Sequence, residues 1–134
     1  MNSLEMLGMQ LLILGENKLV SETLVELLAE QSSLALAYLA LPACASCWLN
    51  EQKEELRQTH IFIINTDNAY EKGVECLKTL RGAYPEAPIF VVDQHESPSL
   101  IALCAAAGAN AYFSLSGSLN KLEQAISSCL INGQ

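Results

Sequence analysis

The sequence predicts an α/β domain built on a doubly wound, five-stranded parallel sheet. Short apolar runs alternate five times with segments of helical periodicity. The runs are continuously apolar, as in strands covered on both faces, and each connection is long enough for a right-handed helical crossover. The 134-residue chain is read as one domain, with residues 1–9 as a short lead and 10–133 as the folded core.

Along the chain, Gln10–Leu14 (QLLIL) is a compact strand stopped by Gly15. Leu and Val at 19, 20, 24, 25, 27 and 28 give a helix from Leu19 to Gln31, broken at Ser32-Ser33. Leu34–Ala40 is a second strand; after Pro42 a poorly signalled helix is expected around Cys47–Arg57. His60–Asn65 (HIFIIN) is β-branched and aromatic, the clearest strand in the chain. A helix over Glu71–Ala83 is expected to end at Gly82 and Pro85, before the strand Pro88–Asp93. Ser97-Pro98 opens a helix that continues over Ser99–Ala107 to a Gly108 C-cap. Ala111–Leu115 is a short strand, and Ser118–Leu130 a last amphipathic helix with Gly133 beyond it.

Composition supports a packed domain and excludes some functions. The chain is 51% hydrophobic and 16% charged. At this length folding buries about two thirds of the unfolded surface, enough for a core without staples. Fifteen acids against seven bases leave a formal charge of −8, which repels nucleic-acid phosphates and anionic membranes. No apolar run reaches the roughly 18 residues of a membrane span, and no secretory leader is recognisable, so a cytoplasmic setting with reduced thiols is expected.

In such a fold the binding site lies at the carboxyl ends of the strands. That directs attention to Gly15-Glu16-Asn17, Ala40–Pro42, Asn65-Thr66-Asp67, Asp93-Gln94-His95 and Leu115-Ser116. Here the chain resembles the receiver family of bacterial response regulators, and in particular receivers that precede LuxR-type DNA-binding domains. The resemblance runs from about Leu11 to Gly133. It is carried by ILGENKLVSETLVELL, by HIFIIN with GVECLKTLRGAYPEAPIFVV after it, and by AAAGANAYFSLSGSLNKLEQAI.

The resemblance implies a flavodoxin-like strand order of 2-1-3-4-5. It also implies a phosphorylation pocket made of an acidic pair, an acceptor aspartate, a Ser/Thr and a lysine. Those positions fall on Gly15 and Glu16, Asn65, Asp93 and Leu115, so the pocket is degenerate: one acid survives, the acceptor is an amide, and the cation is gone. The switch aromatic of the family falls on Tyr112. The resemblance thus implies a non-enzymatic pseudo-receiver that needs no cofactor and makes no direct contact with nucleic acid or membrane. It would act by binding a protein or a second copy of itself, as the N-terminal part of a LuxR-type two-component transcription regulator whose linker would begin near Gly133. The implied contact face comprises the fourth helix, fifth strand and fifth helix, with Leu100, Tyr112, Ile126 and Leu130, and the last helix is expected to expose Ile126, Leu130 and Ile131.

Three other readings stay open. Asp67, two residues past Asn65, could be the phosphate acceptor in a shifted register, making the chain a competent receiver. Glu16, Asp67 and Asp93 could converge and offer oxygens to Mg²⁺ or Ca²⁺; otherwise they are three solvated acids on separate loops. Cys44-Ala-Ser-Cys47 has the C-x-x-C spacing of a thiol-redox sensor. It lies after the second strand, so core or incidental thiols are expected, as for the isolated Cys76, Cys104 and Cys129. His60 and His95 are expected at the surface.

Overall fold

The computed structural model describes residues 10–29, 35–67, 69–94, 97–117 and 119–132, the last three without their side chains. The N-terminal lead, Ser32-Ser33, His95, Ser118, the side chains of Leu130 and Ile131, and Gly133 lie outside the described residues. The elements are β1 (Gln10–Gly15), α1 (Lys18–Ala29), β2 (Ala35–Leu39), α2 (Ala45–Glu51), α3 (Lys53–Arg57), β3 (Ile61–Asn65), α4 (Tyr70–Ala83), β4 (Ile89–Asp93), α5 (Pro98–Ala107), β5 (Ala111–Ser114) and α6 (Leu119–Asn132).

All strand pairs are parallel and the order is β2-β1-β3-β4-β5, as expected. Successive side chains of a strand point to opposite faces, and the apolar runs divide accordingly. Leu12, Leu14, Phe62, Ile64 and Val91 pack beneath Trp48, Leu56, Leu77 and Leu80 of α2, α3 and α4. Leu11, Ile13, Ile63, Phe90 and Val92 face Leu24, Leu28, Leu122 and Ile126 of α1 and α6. Both layers are buried, so β1, β3 and β4 carry almost no polar residue until their carboxyl ends.

One helix differs from expectation. The segment after Pro42 forms two short helices, because Gln52 leaves helical geometry (φ −105°, ψ 26°) between them. Helix α4 ends at Ala83 as expected, with Gly82 in its last turn, and the Tyr84 N–H closes it on the Leu80 carbonyl. By contrast Gly108 is the C-cap of α5 at φ 113°, a left-handed position that a side chain resists. Among the described residues no helix is long and apolar enough to cross a membrane.

One side chain ties the amino-terminal edge of β4 together. The Arg81 guanidinium donates to the carbonyls of Gly108 (2.9 Å), Tyr84 (3.2 Å), Pro85 (2.8 Å) and Ala87 (2.8 Å), and to Asn110 Oδ1 (2.7 Å). The fork thereby joins the α4–β4 and α5–β5 turns. Replacing it with a shape-similar apolar chain, Arg81→Met, is expected to lower stability by about 2 kcal/mol in urea titration, since charged donors contribute more than neutral ones. An unchanged midpoint would mean that the turns hold without it.

Candidate functional site

The carboxyl ends of β1 and β3 lie side by side, with Gly15 opposite Asn65 in the parallel register. There is no room between them. A Cβ on Gly15 would stand 2.5 Å from Ser21 Oγ and 3.0 Å from Asn65 Cβ. Asn65 is fully buried; its Oδ1 accepts the Asp67 backbone N–H at 3.0 Å. Asn65 Nδ2 and Ser21 Oγ are both buried without a hydrogen-bond partner. The Tyr38 hydroxyl of β2 closes the neighbouring side by donating to the Gly15 carbonyl at 3.0 Å.

The acids do not converge as one possible reading required. Glu16 turns outward to Lys72 at 2.8 Å, an ion pair with both partners well exposed. Asp67 Oδ2 accepts from the amides of Asn17 (2.8 Å) and Gln94 (3.2 Å). Asp93 Oδ2 accepts from Thr66 Oγ1 at 2.8 Å. Asp67 and Asp93 are each only 8% exposed, so they are not solvated loop acids either. Among the described residues no group of three His, Cys, Asp or Glu is arranged to hold a metal ion. The two positions that the sequence resemblance assigned to a cation-holding acidic pair therefore fit a divalent cation poorly: the side-chain space of Gly15 is filled, and Glu16 is held by Lys72.

Leu115, which the sequence resemblance set at a lysine position, is partly buried against the α1–α6 side of the core, and its N–H donates to the Asp93 carbonyl at 2.8 Å.

On the other side of Asp67 lies a recess of about 440 Å³ lined by Thr66, Asp67, Tyr70, Asp93, Ser97 and Leu103, among others. It includes Asp67 and Asp93 at the strand ends that the sequence singled out, and the amino ends of α4 and α5 complete it.

The residues expected at the contact face differ in their burial. Tyr112 and Leu100 are half-buried and pack against the core on the α4–α5 side. Ile126 is 4% exposed and faces the sheet beside Leu122, so it belongs to the core and not to an exposed stripe. The exposed large apolar residues near this face are Ile101, Leu103 and Tyr70. Helix α5 (PSLIALCAAA) has no charged residue and is apolar on every side, while Cys104 alone among its described residues is classed as buried. A helix apolar all round is expected to be covered. This one lies on the surface.

The cysteines separate into two kinds. Cys76 and Cys104 are buried and Cys129 partly so, and burial pushes their thiols up, that of Cys76 to about 12. Cys44 and Cys47 are exposed, so of the expected core or incidental thiols they are not core, and their sulfurs lie 2.6 Å apart. His60 is at the surface, and its Nδ1 accepts the Gln10 N–H at 3.2 Å.

The fold is shared with solved receiver domains. The signal receiver domain of a DNA-binding response regulator from Colwellia psychrerythraea superposes with a TM-score of 0.75 at 14% identity, covering 92% of this chain and 99% of its own. A LuxR-family two-component response regulator from Aurantimonas sp. gives 0.68 at 20% identity, over 91% of this chain and 84% of that one. A pilus assembly-related protein from Burkholderia pseudomallei gives 0.72 at 13% identity, over 90% and 89%. At these identities the likeness is one of fold. No protein-family model matches the chain, and no curated protein matches it in sequence.

The crowding at Gly15 has a measurable signature. Ser21→Ala removes an unpaired buried hydroxyl and is expected to leave stability unchanged or raise it by up to about 1 kcal/mol. Gly15→Ala is expected to cost about 1–3 kcal/mol by overpacking. Combined, the Gly15→Ala penalty should shrink, because the nearest colliding atom is gone. Strict additivity in urea titrations of the three variants would contradict this packing.

Proposed function

We propose that the chain is a pseudo-receiver: a regulatory module of receiver fold that does not accept phosphate and acts by protein contact, without catalysis. The buried carboxamide of Asn65 is the observation that carries this reading. An acyl phosphate forms when a carboxylate oxygen attacks a phosphodonor. An amide has no such oxygen, and this one is out of reach of solvent. Leu115 brings no cation to a developing phosphoryl charge, and Asp93 would oppose it.

The contact surface we assign is α5 with the adjoining Tyr112 strand. Exposed Ile101 and Leu103 on a helix without charge form the kind of patch that protein partners cover. The net charge of −8 leaves any DNA contact to another part of a larger regulator. A LuxR-type two-component transcription regulator in the cytoplasm is the setting favoured by the sequence resemblance, and a LuxR-family regulator is among the structural neighbours. A helix-turn-helix segment encoded after Gln134 in the same reading frame is the expected outcome; an ATPase segment there would point to a different assembly.

A competent receiver using Asp67 is the rival, because Asp67 lines the recess. Incubation with acetyl phosphate and Mg²⁺, and separately with beryllofluoride, separates the two. The pseudo-receiver is expected to show no gain in intact mass and no rise in Tm; a single phosphoryl gain mapped to Asp67 would overturn it. Sedimentation tests the surface with a second copy of the chain as the first candidate partner. The double variant Ile101→Asp with Leu103→Asp is expected to weaken self-association about tenfold or more. Unaltered association would move the interface elsewhere.

A further inference from the structure

The crossover from β2 to β3 carries a feature that phosphate signalling does not use. After Leu41 and Pro42 the chain enters α2 through Cys44, whose backbone is extended (φ −125°, ψ 103°) and whose sulfur accepts the Cys47 N–H at 3.4 Å. The next turn brings Cys47 Sγ to 2.6 Å from Cys44 Sγ, with Ser46 Oγ 3.6 Å away. Helical spacing sorts this segment into two faces. Ala45 and Trp48 turn into the core, while Cys44, Ser46 and Cys47 face solvent. The pair is therefore both preassembled and accessible.

The two thiols are not equivalent. The Cys47 thiol, the Ser46 hydroxyl and the Cys47 N–H all donate to Cys44, which lowers its pKa. Cys47 is pushed up, because its proton is held by Cys44 and because the Cys44 and Glu51 charges oppose a second anion. Cys76 and Cys104 are buried and Cys129 partly so, and none has another sulfur beside it as Cys44 has, so disulfide chemistry is directed to one place among the described residues.

We propose that Cys44 and Cys47 form a reversible dithiol–disulfide site, with Cys44 as the attacking sulfur and Cys47 as the resolving one, that exchanges with low-molecular-weight disulfides of the glutathione type. The Cys44 thiolate attacks one sulfur of the disulfide RSSR. The RS–SR bond breaks, a Cys44–S–S–R bond forms, and the departing thiolate takes up the proton lost by Cys44 to leave as RSH. Cys47 then gives up its proton and attacks Cys44 Sγ; the mixed disulfide breaks, the second RS⁻ leaves with that proton, and the Cys44–Cys47 bond closes. The chain loses two electrons and RSSR gains them. Return of the dithiol needs the reverse exchange with two RSH. Thiol exchange at this site goes beyond the phosphate-independent role and does not rest on it.

Trp48 supplies a reporter. It is the sole tryptophan of the chain, comes directly after Cys47 and is 8% exposed in the core. Closing the disulfide restrains the turn from which it projects, so its emission is expected to change with oxidation state.

The test uses the whole chain equilibrated in oxidised and reduced glutathione at varied ratio, acid-quenched, alkylated in denaturant and weighed intact. The wild type is expected to pass from five alkylatable thiols to three in one reversible two-electron step. Peptide mapping should place the loss at Cys44 and Cys47, and Trp48 emission should track the same curve. Cys47→Ser is expected to stop at one glutathione on Cys44, and Cys44→Ser to stay unmodified over the same interval. Serine is itself a good helix cap and both sites are exposed, so both variants should fold, which the Trp48 emission of the reduced proteins verifies. Retention of five thiols in oxidised glutathione alone would overturn the proposal. So would loss of a different cysteine pair, or glutathione uptake by Cys44→Ser as fast as by Cys47→Ser. If a variant does not fold, the mapped wild-type titration decides alone.

Discussion

The carboxyl end of this sheet is organised by the contact of Gly15 with Asn65. The parallel register sets the two residues side by side, and the missing Cβ of Gly15 lets Ser21 and Asn65 close over the gap. Every neighbouring polar group is arranged around that closure. Asn65 spends its oxygen on the Asp67 N–H, Asp67 turns to the amides of Asn17 and Gln94, and Asp93 turns to Thr66. Glu16, excluded from the packed centre, reaches out to Lys72. The arrangement leaves Ser21 Oγ and Asn65 Nδ2 unsatisfied. Each such group costs about 1–3 kcal/mol. That cost is modest beside the alternative of two or three carboxylates crowded together without a cation.

A closed strand-end pocket changes where function can reside. The backbone architecture of a receiver is intact, including the half-buried Tyr112 against the α4–α5 side of the core. Chemically available groups lie beside and beyond the Gly15–Asn65 contact: the recess at Asp67, the uncharged surface of α5, and the exposed thiol pair at the start of α2. The last two belong to different connections of the sheet, so contact and thiol exchange need not compete for the same atoms.

Much of this was legible in the residues, and the rest fails for identifiable reasons. The strand IFIIN is unmistakable because β-branched and aromatic residues fill both faces. Asn65 ends β3 where the apolar run predicted, whereas β5 stops at Ser114, one residue before its expected end at Leu115. Partners remote in sequence were not legible. Nothing local in Glu16 announces Lys72, 56 residues away. Ile126 was placed outward because an amphipathic period shows a stripe without saying what covers it; here the sheet does. Helix α5, expected at the contact face, carries no charge, and its Ile101 and Leu103 are exposed. The C-x-x-C spacing was visible, but its exposure depended on Ala45 and Trp48 taking the inner face.

On the proposed reading, Asn65 is a packing residue in a closed site. The variant Asn65→Asp tests this most directly, by restoring the acceptor carboxylate and nothing else. Incubated with acetyl phosphate and Mg²⁺ and weighed intact, it is predicted to gain no phosphoryl group. Its urea midpoint should fall, because a carboxylate buried without a cation costs about 2 kcal/mol or more. A stable variant that gains one phosphoryl group at position 65 would contradict the closed-site reading.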